Sequence, residues 1–100
     1  MKYELLVTEP ADIEITQAYN WYEDKQPGLG ESFLRELQNC FAILMDNPRL
    51  FQDRFNGIRA AVLKRFPYLV TYQVIDHRIV VMAVFHTSRD PIIWKARKKE

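Results

Sequence analysis

One hundred residues, 48% hydrophobic and 13% aromatic, make one domain's worth of chain and exclude a disordered tail. The only cysteine, Cys40, excludes an internal disulfide framework and points to a reducing cytoplasm. The net charge of +1 hides a division: residues 1–48 hold nine acids and three bases (−6), residues 49–100 four acids and eleven bases (+7), and the two sum to +1.

That asymmetry reads equally well as a polyanion-facing surface or as acidic helices paired with a basic sheet inside one domain. The N-terminus, Met1-Lys2-Tyr3-Glu4, lacks the apolar core of a signal peptide. No apolar run approaches the roughly 20 residues that span a bilayer, so no membrane partner is expected.

Residues 2–7 alternate in part and read as a first strand. Thr8 then caps a helix, with Pro10 tolerated in its first turn. Ala11, Ile15, Ala18, Tyr19 and Tyr22 recur at helical spacing and define its apolar face, with Trp21 at the border. Gln26-Pro27-Gly28 breaks the helix. A second opens near Gly30 and runs to Met45, with Leu29, Phe33, Leu34, Leu37, Phe41, Leu44 and Met45 on one side and Cys40 as core filler beside them. Asp46-Asn47-Pro48 ends it. The short connection predicts an antiparallel helical hairpin.

The period then changes. Residues 58–65 read as a strand, interrupted by Phe66-Pro67. Tyr68, Val70, Tyr72 and Val74 alternate with Leu69, Thr71, Gln73 and Ile75 in the next. Asp76-His77 suits a two-residue turn, and residues 78–85 are apolar on both faces, as in a central strand. Asp90-Pro91 pairs an N-cap with a first-turn proline, and Ile92, Ile93 and Trp94 can anchor a short turn or helix there. The expected fold is α+β: a single domain over residues 1–100, ordered β-α-α-β-β-β. A helical hairpin packs on a mostly antiparallel four-stranded sheet, with a short C-terminal turn or helix at the end.

Several chemistries have no residues to carry them. There is no glycine-rich phosphate loop and no Cys/His metal spacing, so neither cofactor nor metal is expected. Tyr19-Asn20-Trp21-Tyr22 could stack bases, but its helical spacing favours core packing. The remaining candidates gather around the end of the last strand. His86 and Arg89 close it, Lys95, Arg97, Lys98 and Lys99 form a basic tail, and Arg59, Lys64 and Arg65 add positive charge. Such a set could bind phosphates. It could also cut RNA, with His86 as acid or base and Arg89 steadying the phosphorane. The simpler reading of His86 is a half-exposed strand-end residue bonded to a nearby carbonyl, and that of the tail is a solvated end.

In order and spacing, these residues resemble the RelE/ParE superfamily of toxins from bacterial type II toxin–antitoxin pairs. The resemblance runs from Glu9-Pro10-Ala11 through Trp21-Tyr22-Glu23, Gln26-Pro27-Gly28-Leu29-Gly30 and Asn47-Pro48. It is most specific in Phe66-Pro67-Tyr68 together with His86, Arg89-Asp90-Pro91 and Trp94, which look like the ParE-like branch. It implies a cytoplasmic toxin neutralised by an antitoxin encoded beside it, with operator DNA contacted only through the antitoxin. ParE-like members poison DNA gyrase without hydrolytic chemistry; RelE-like members cleave mRNA on the ribosome. Here Tyr68 is followed by Leu69, where ribonuclease members commonly carry arginine, and Trp94 is the only later aromatic. His86 does match the place where some ribonuclease members hold a catalytic histidine. The lead expectation is therefore a gyrase poison. The alternatives are a ribosome-dependent endoribonuclease using His86 and Arg89, and an inactive homologue that only binds its partner. Arg59, Lys64, Arg65, Arg89, Trp94, Lys95, Arg97 and Lys98 are the expected target- or antitoxin-binding residues.

Overall fold

The computed structural model describes residues 3–88. The expected C-terminal turn or helix, with Arg89, Trp94, Lys95, Arg97 and Lys98, lies outside the described residues. Within them the order is β1 (Glu4–Val7), α1 (Glu9–Lys25), α2 (Leu29–Asp46), β2 (Asp53–Phe55), β3 (Ile58–Val62), β4 (Tyr68–Ile75) and β5 (Arg78–His86).

Thr8 starts α1 as its extended N-cap. Its hydroxyl accepts from the Ala11 N–H at 3.4 Å and donates to the Val81 carbonyl at 3.0 Å, so one side chain ties the helix start to β5. Glu9 and Asp12 place negative charge in the first turn, where the helix dipole favours it. The α1–α2 connection needs two glycines for different reasons. Gly28 sits at φ 91°, a left-handed conformation. Gly30 lies where an added Cβ would come within 2.7 Å of the Tyr19 carbonyl oxygen. The Glu23 carboxylate accepts from both glycine N–H groups at 2.9 Å, which supplies the start of α2 with acceptors its own N-cap lacks.

The sheet has five strands in the order β1-β5-β4-β3-β2. β1 runs parallel to β5 at one edge, and the other pairs are antiparallel. Four strands were expected from the sequence. The fifth, β2, has three residues, all exposed, and so shows no apolar alternation. It exists because Asn56-Gly57, at φ 48° and 82°, makes a tight hairpin whose Gly57 N–H donates to Asp53 Oδ1 at 3.2 Å. β3 also stops earlier than the sequence pattern suggests, at Val62 instead of residue 65.

Phe33, Leu37, Cys40 and Leu44 lie on one face of α2 and are buried. They pack over Ala61, Val70, Tyr72, Ile79, Val81 and Val84 of the sheet. From α1, Ala11 and Ala18 are buried, whereas Ile15 and Tyr22 are partly covered. Tyr19, expected in the core, is half-buried. Its hydroxyl donates to Glu31 Oε2 at 3.1 Å across the hairpin, which pushes the phenol's pKa up. A bulge shifts the β4–β5 register: Tyr72 faces Val81 while Thr71 faces Ala83. Met82 is the extra residue. Ile79 and Val81 point to the helices before it, and Val84 after it.

Candidate binding surface

One end of the sheet collects the end of β5, the start of β4 and the loop between β3 and β4. Tyr68 packs against Tyr22 and Phe33 from the helices, with ring centroids 6.0 and 5.1 Å away. His86 is its cross-strand partner, so it shares the helix side of the sheet, edge-on to the Tyr68 ring at 5.3 Å. His86 is half-exposed, and its Nδ1 accepts from the Ser88 N–H at 3.1 Å. In the neutral ring the proton then sits on Nε2. Thr87 donates to the Pro67 carbonyl through both its N–H (2.8 Å) and its hydroxyl (3.2 Å), fastening the end of β5 to the loop.

The loop is fixed from its other side by Glu36 of α2. One oxygen of that carboxylate accepts from the Lys64 N–H at 2.6 Å and the Arg65 N–H at 2.8 Å. This claim on two backbone donors takes Lys64 and Arg65 out of the β3 ladder, and both side chains stand in solvent. The Arg65 guanidinium lies 5.7 Å from the Phe66 ring centroid.

Lys64, Arg65 and His86 are thus brought to one end. Arg59 is not. It faces Tyr72 across β3–β4, four residues along the strand from Tyr68, or about 13 Å. Its Nη1 donates to the Phe51 carbonyl at 2.6 Å, a structural tie for the segment before β2. Tyr72 beside it is fully buried, with its hydroxyl donating to the Pro48 carbonyl at 2.8 Å. Burial pushes that phenol's pKa up, and the Arg59 charge pulls it partly back.

A groove of about 400 Å³ opens between α2 and β3. Ile43, Phe51, Val62 and Leu63 line it, with Arg35, Lys64 and Arg65 around them. Val62 is 55% exposed and Ile43 47%. Cys40 forms part of its wall, and burial, with Glu36 nearby, pushes the thiol's pKa up to about 11. The thiol is therefore neutral at physiological pH and a poor nucleophile. Beside the groove, β3 has an open edge among the described residues. The Leu63 N–H donates to Tyr68, so Arg59 and Ala61 share that direction while Ala60 and Val62 turn their backbone groups away from β4. β2 reaches only Ile58 and Arg59.

A second hollow, about 250 Å³, lies between α1 and the sheet, lined by Glu14, Gln17, Trp21 and Tyr68 among others. Glu14 Oε1 accepts from the Val84 N–H at 2.9 Å, just after the bulge. Glu14 and Glu36 both shape this end of the molecule, and sequence reasoning passed over them. Each reads as a solvated acid on the polar side of a helix, and nothing local signals a backbone partner 70 or 28 residues away.

The chain matches the model of a family described as ParE toxin of type II toxin–antitoxin system, parDE, over residues 5–91. Its fold is similar to a chain of the chromosomal ParDE toxin–antitoxin system from P. aeruginosa, with a TM-score of 0.74 at 16% identity, covering 84% of this chain and 95% of that one. It is also similar to the isolated E. coli RelE toxin, with a TM-score of 0.68 at 22% identity over 97% of both chains. A chain of the intact E. coli RelBE toxin–antitoxin complex gives 0.67 at 22% identity, covering 84% and 95%. No curated protein matches the chain.

Proposed function

Because the chain belongs to the ParE toxin family of type II toxin–antitoxin systems, we propose that it inhibits growth by poisoning DNA gyrase in the cytoplasm until a cognate antitoxin neutralises it. The observation that carries this reading is the family match over residues 5–91, which includes every described element after the first residue of β1. On this reading toxicity is a matter of binding, and the chain catalyses no hydrolysis. The basic end of the sheet, with Lys64 and Arg65, is the target-facing surface, together with Arg89, Trp94, Lys95, Arg97 and Lys98 of the C-terminal sequence.

The antitoxin's seat on this reading is the groove between α2 and β3. An extended segment can add to the open edge at Ala60 and Val62, place apolar side chains against Ile43, Phe51 and Val62, and set acids near Arg35, Lys64 and Arg65. Operator DNA is reached only through that partner.

One observation favours the ribosome-dependent endoribonuclease as a second reading. His86 shares its end of the sheet with Lys64 and Arg65, which puts a titratable group beside positive charge. In that case His86 moves the proton and Arg89 steadies the phosphate. Induction in cells without antitoxin separates the two. Trapped covalent gyrase–DNA complexes with no codon-phased mRNA ends are the expected result, and His86→Gln leaves most of the toxicity. Codon-phased cleavage that disappears in His86→Gln would transfer the assignment to the ribonuclease. Unaffected growth with neither signal leaves a chain that only binds its partner.

A further inference from the structure

The opposite edge of the sheet is also open, and its chemistry differs. β1 has β5 on one side and no strand on the other among the described residues. The Glu4 N–H donates to the His77 carbonyl at 2.9 Å and the Thr8 N–H to the Val81 carbonyl at 3.1 Å. With a strand period of two, Glu4, Leu6 and Thr8 direct their backbone groups inward, and Leu5 and Val7 direct theirs to the free edge. Apart from its shortness, at four residues, the strand lacks the usual defences of an edge. From Glu4 to Val7 there is no proline and no lysine, and the β1–β5 register is unbroken. The single charge, Glu4, is paired with Arg78 at 3.5 Å. The edge is apolar on both faces of the sheet: Leu6 is 40% exposed on one, and Val7 37% on the other.

We propose that this edge pairs with β1 of a second copy, in antiparallel register about a twofold axis through Leu6. The backbone phase selects this arrangement. Leu5 of one copy meets Val7 of the other, and since both turn their N–H and C=O outward, the two symmetric pairs make four hydrogen bonds. Leu6 then meets Leu6, and Glu4 meets Thr8. An axis one residue earlier keeps the phase but sets Glu4 against Leu6, a charge against an apolar side chain. Slipping the register by a single residue points inward groups at outward ones and makes no ladder. The strand is only four residues long, so the contact falls at or below the ~1,200 Å² floor of stable interfaces, and the dimer forms in the micromolar-to-millimolar range. The groove beside β3 lies at the other edge and stays free in the dimer.

Sedimentation equilibrium of the full chain, from micromolar to near-millimolar, tests this alongside amide hydrogen exchange. A monomer–dimer equilibrium is expected, with the Leu5 and Val7 amides gaining protection only as the dimer fills. Val7→Pro deletes one outward donor and spares the ladder to β5. Leu6→Glu sets two carboxylates against each other on the axis. Each weakens association at least tenfold, and Ile43→Glu, in the groove at the far edge, leaves it unchanged. If Val7→Pro fails to fold by circular dichroism, Leu6→Glu decides, since its side chain is already partly in water. A chain that stays monomeric throughout, or variants that associate like wild type, overturns the proposal. So does protection of Leu5 and Val7 by added antitoxin with loss of the dimer, which gives the edge to that partner.

Discussion

Leu37 is 3% exposed, with its side chain inside the cluster that joins α2 to the sheet. Leu37→Ala should cost about 2–5 kcal/mol in urea denaturation, as a buried leucine truncation does. Glu36, one position earlier, acts outward. Glu36→Ala should cost only about 1 kcal/mol, because its hydrogen bonds are exposed, yet the Lys64 and Arg65 amides should lose most of their exchange protection. Cys40 sets a pH dependence whose sign follows from its burial. Below about pH 9 the thiol is neutral folded and unfolded, and its full contribution is present. From 9.0 to about 11 the unfolded chain ionises while the folded one holds its proton, so stability falls, by about 2–3 kcal/mol across the range. Denaturation at neutral pH and at about pH 11, wild type against Cys40→Ala, checks this: the variant should lose that part of the slope. Cys40 as core filler could be read from its place beside the apolar stripe. The work of Glu36 and Glu14 could not, since it depends on partners that only the finished fold brings near.

The helical hairpin is the element most nearly written in the chain. Thr8, Pro10, the apolar spacing and Gln26-Pro27-Gly28 each act over a few residues, and together they fix where both helices begin and end. The close approach at Gly30 gives a sharp test. Gly30→Ala should destabilise by about 1–3 kcal/mol, an overpacking cost, because the new methyl meets backbone at Tyr19 as well as side chains. Thermal unfolding measures it. The sheet was less legible. β2 has no apolar pattern at all, and only the Asn56-Gly57 pair announces it. The bulge at Met82 was invisible for the opposite reason: residues 78–85 are apolar on both faces, so either phase buries hydrophobic side chains. Which side of the sheet His86 occupies depends on that bulge.

Over the whole molecule, the acidic first half forms β1 and the helices, and the basic second half forms the other four strands and the loop with Lys64 and Arg65. Among the described residues the charge division visible in the sequence therefore runs largely between the helices and strands β2 to β5. Lys64 and Arg65 stand at a rim, where charge acts mainly on the rate of encounter. The double reversal Lys64→Glu with Arg65→Glu should slow antitoxin association by about tenfold or more at low salt and much less at high salt, in stopped-flow measurements. A rate constant insensitive to both reversal and salt would mean that the partner docks without using this charge. Among the described residues no helix is long and apolar enough to cross a membrane.

The parallel pairing of β1 with β5 joins Glu4 to Arg78, 74 residues later, in a chain that the ribosome delivers from the N-terminus. Through most of translation the helical hairpin has no complete sheet to cover, and the nascent polypeptide cannot close its core until β5 emerges. Long-range closure of this kind also places folding toward the slow, millisecond-to-second end for small domains. On the reading proposed above, a toxin built this way completes its binding surfaces only once β5 has docked, which leaves an interval in which a waiting antitoxin can reach it first.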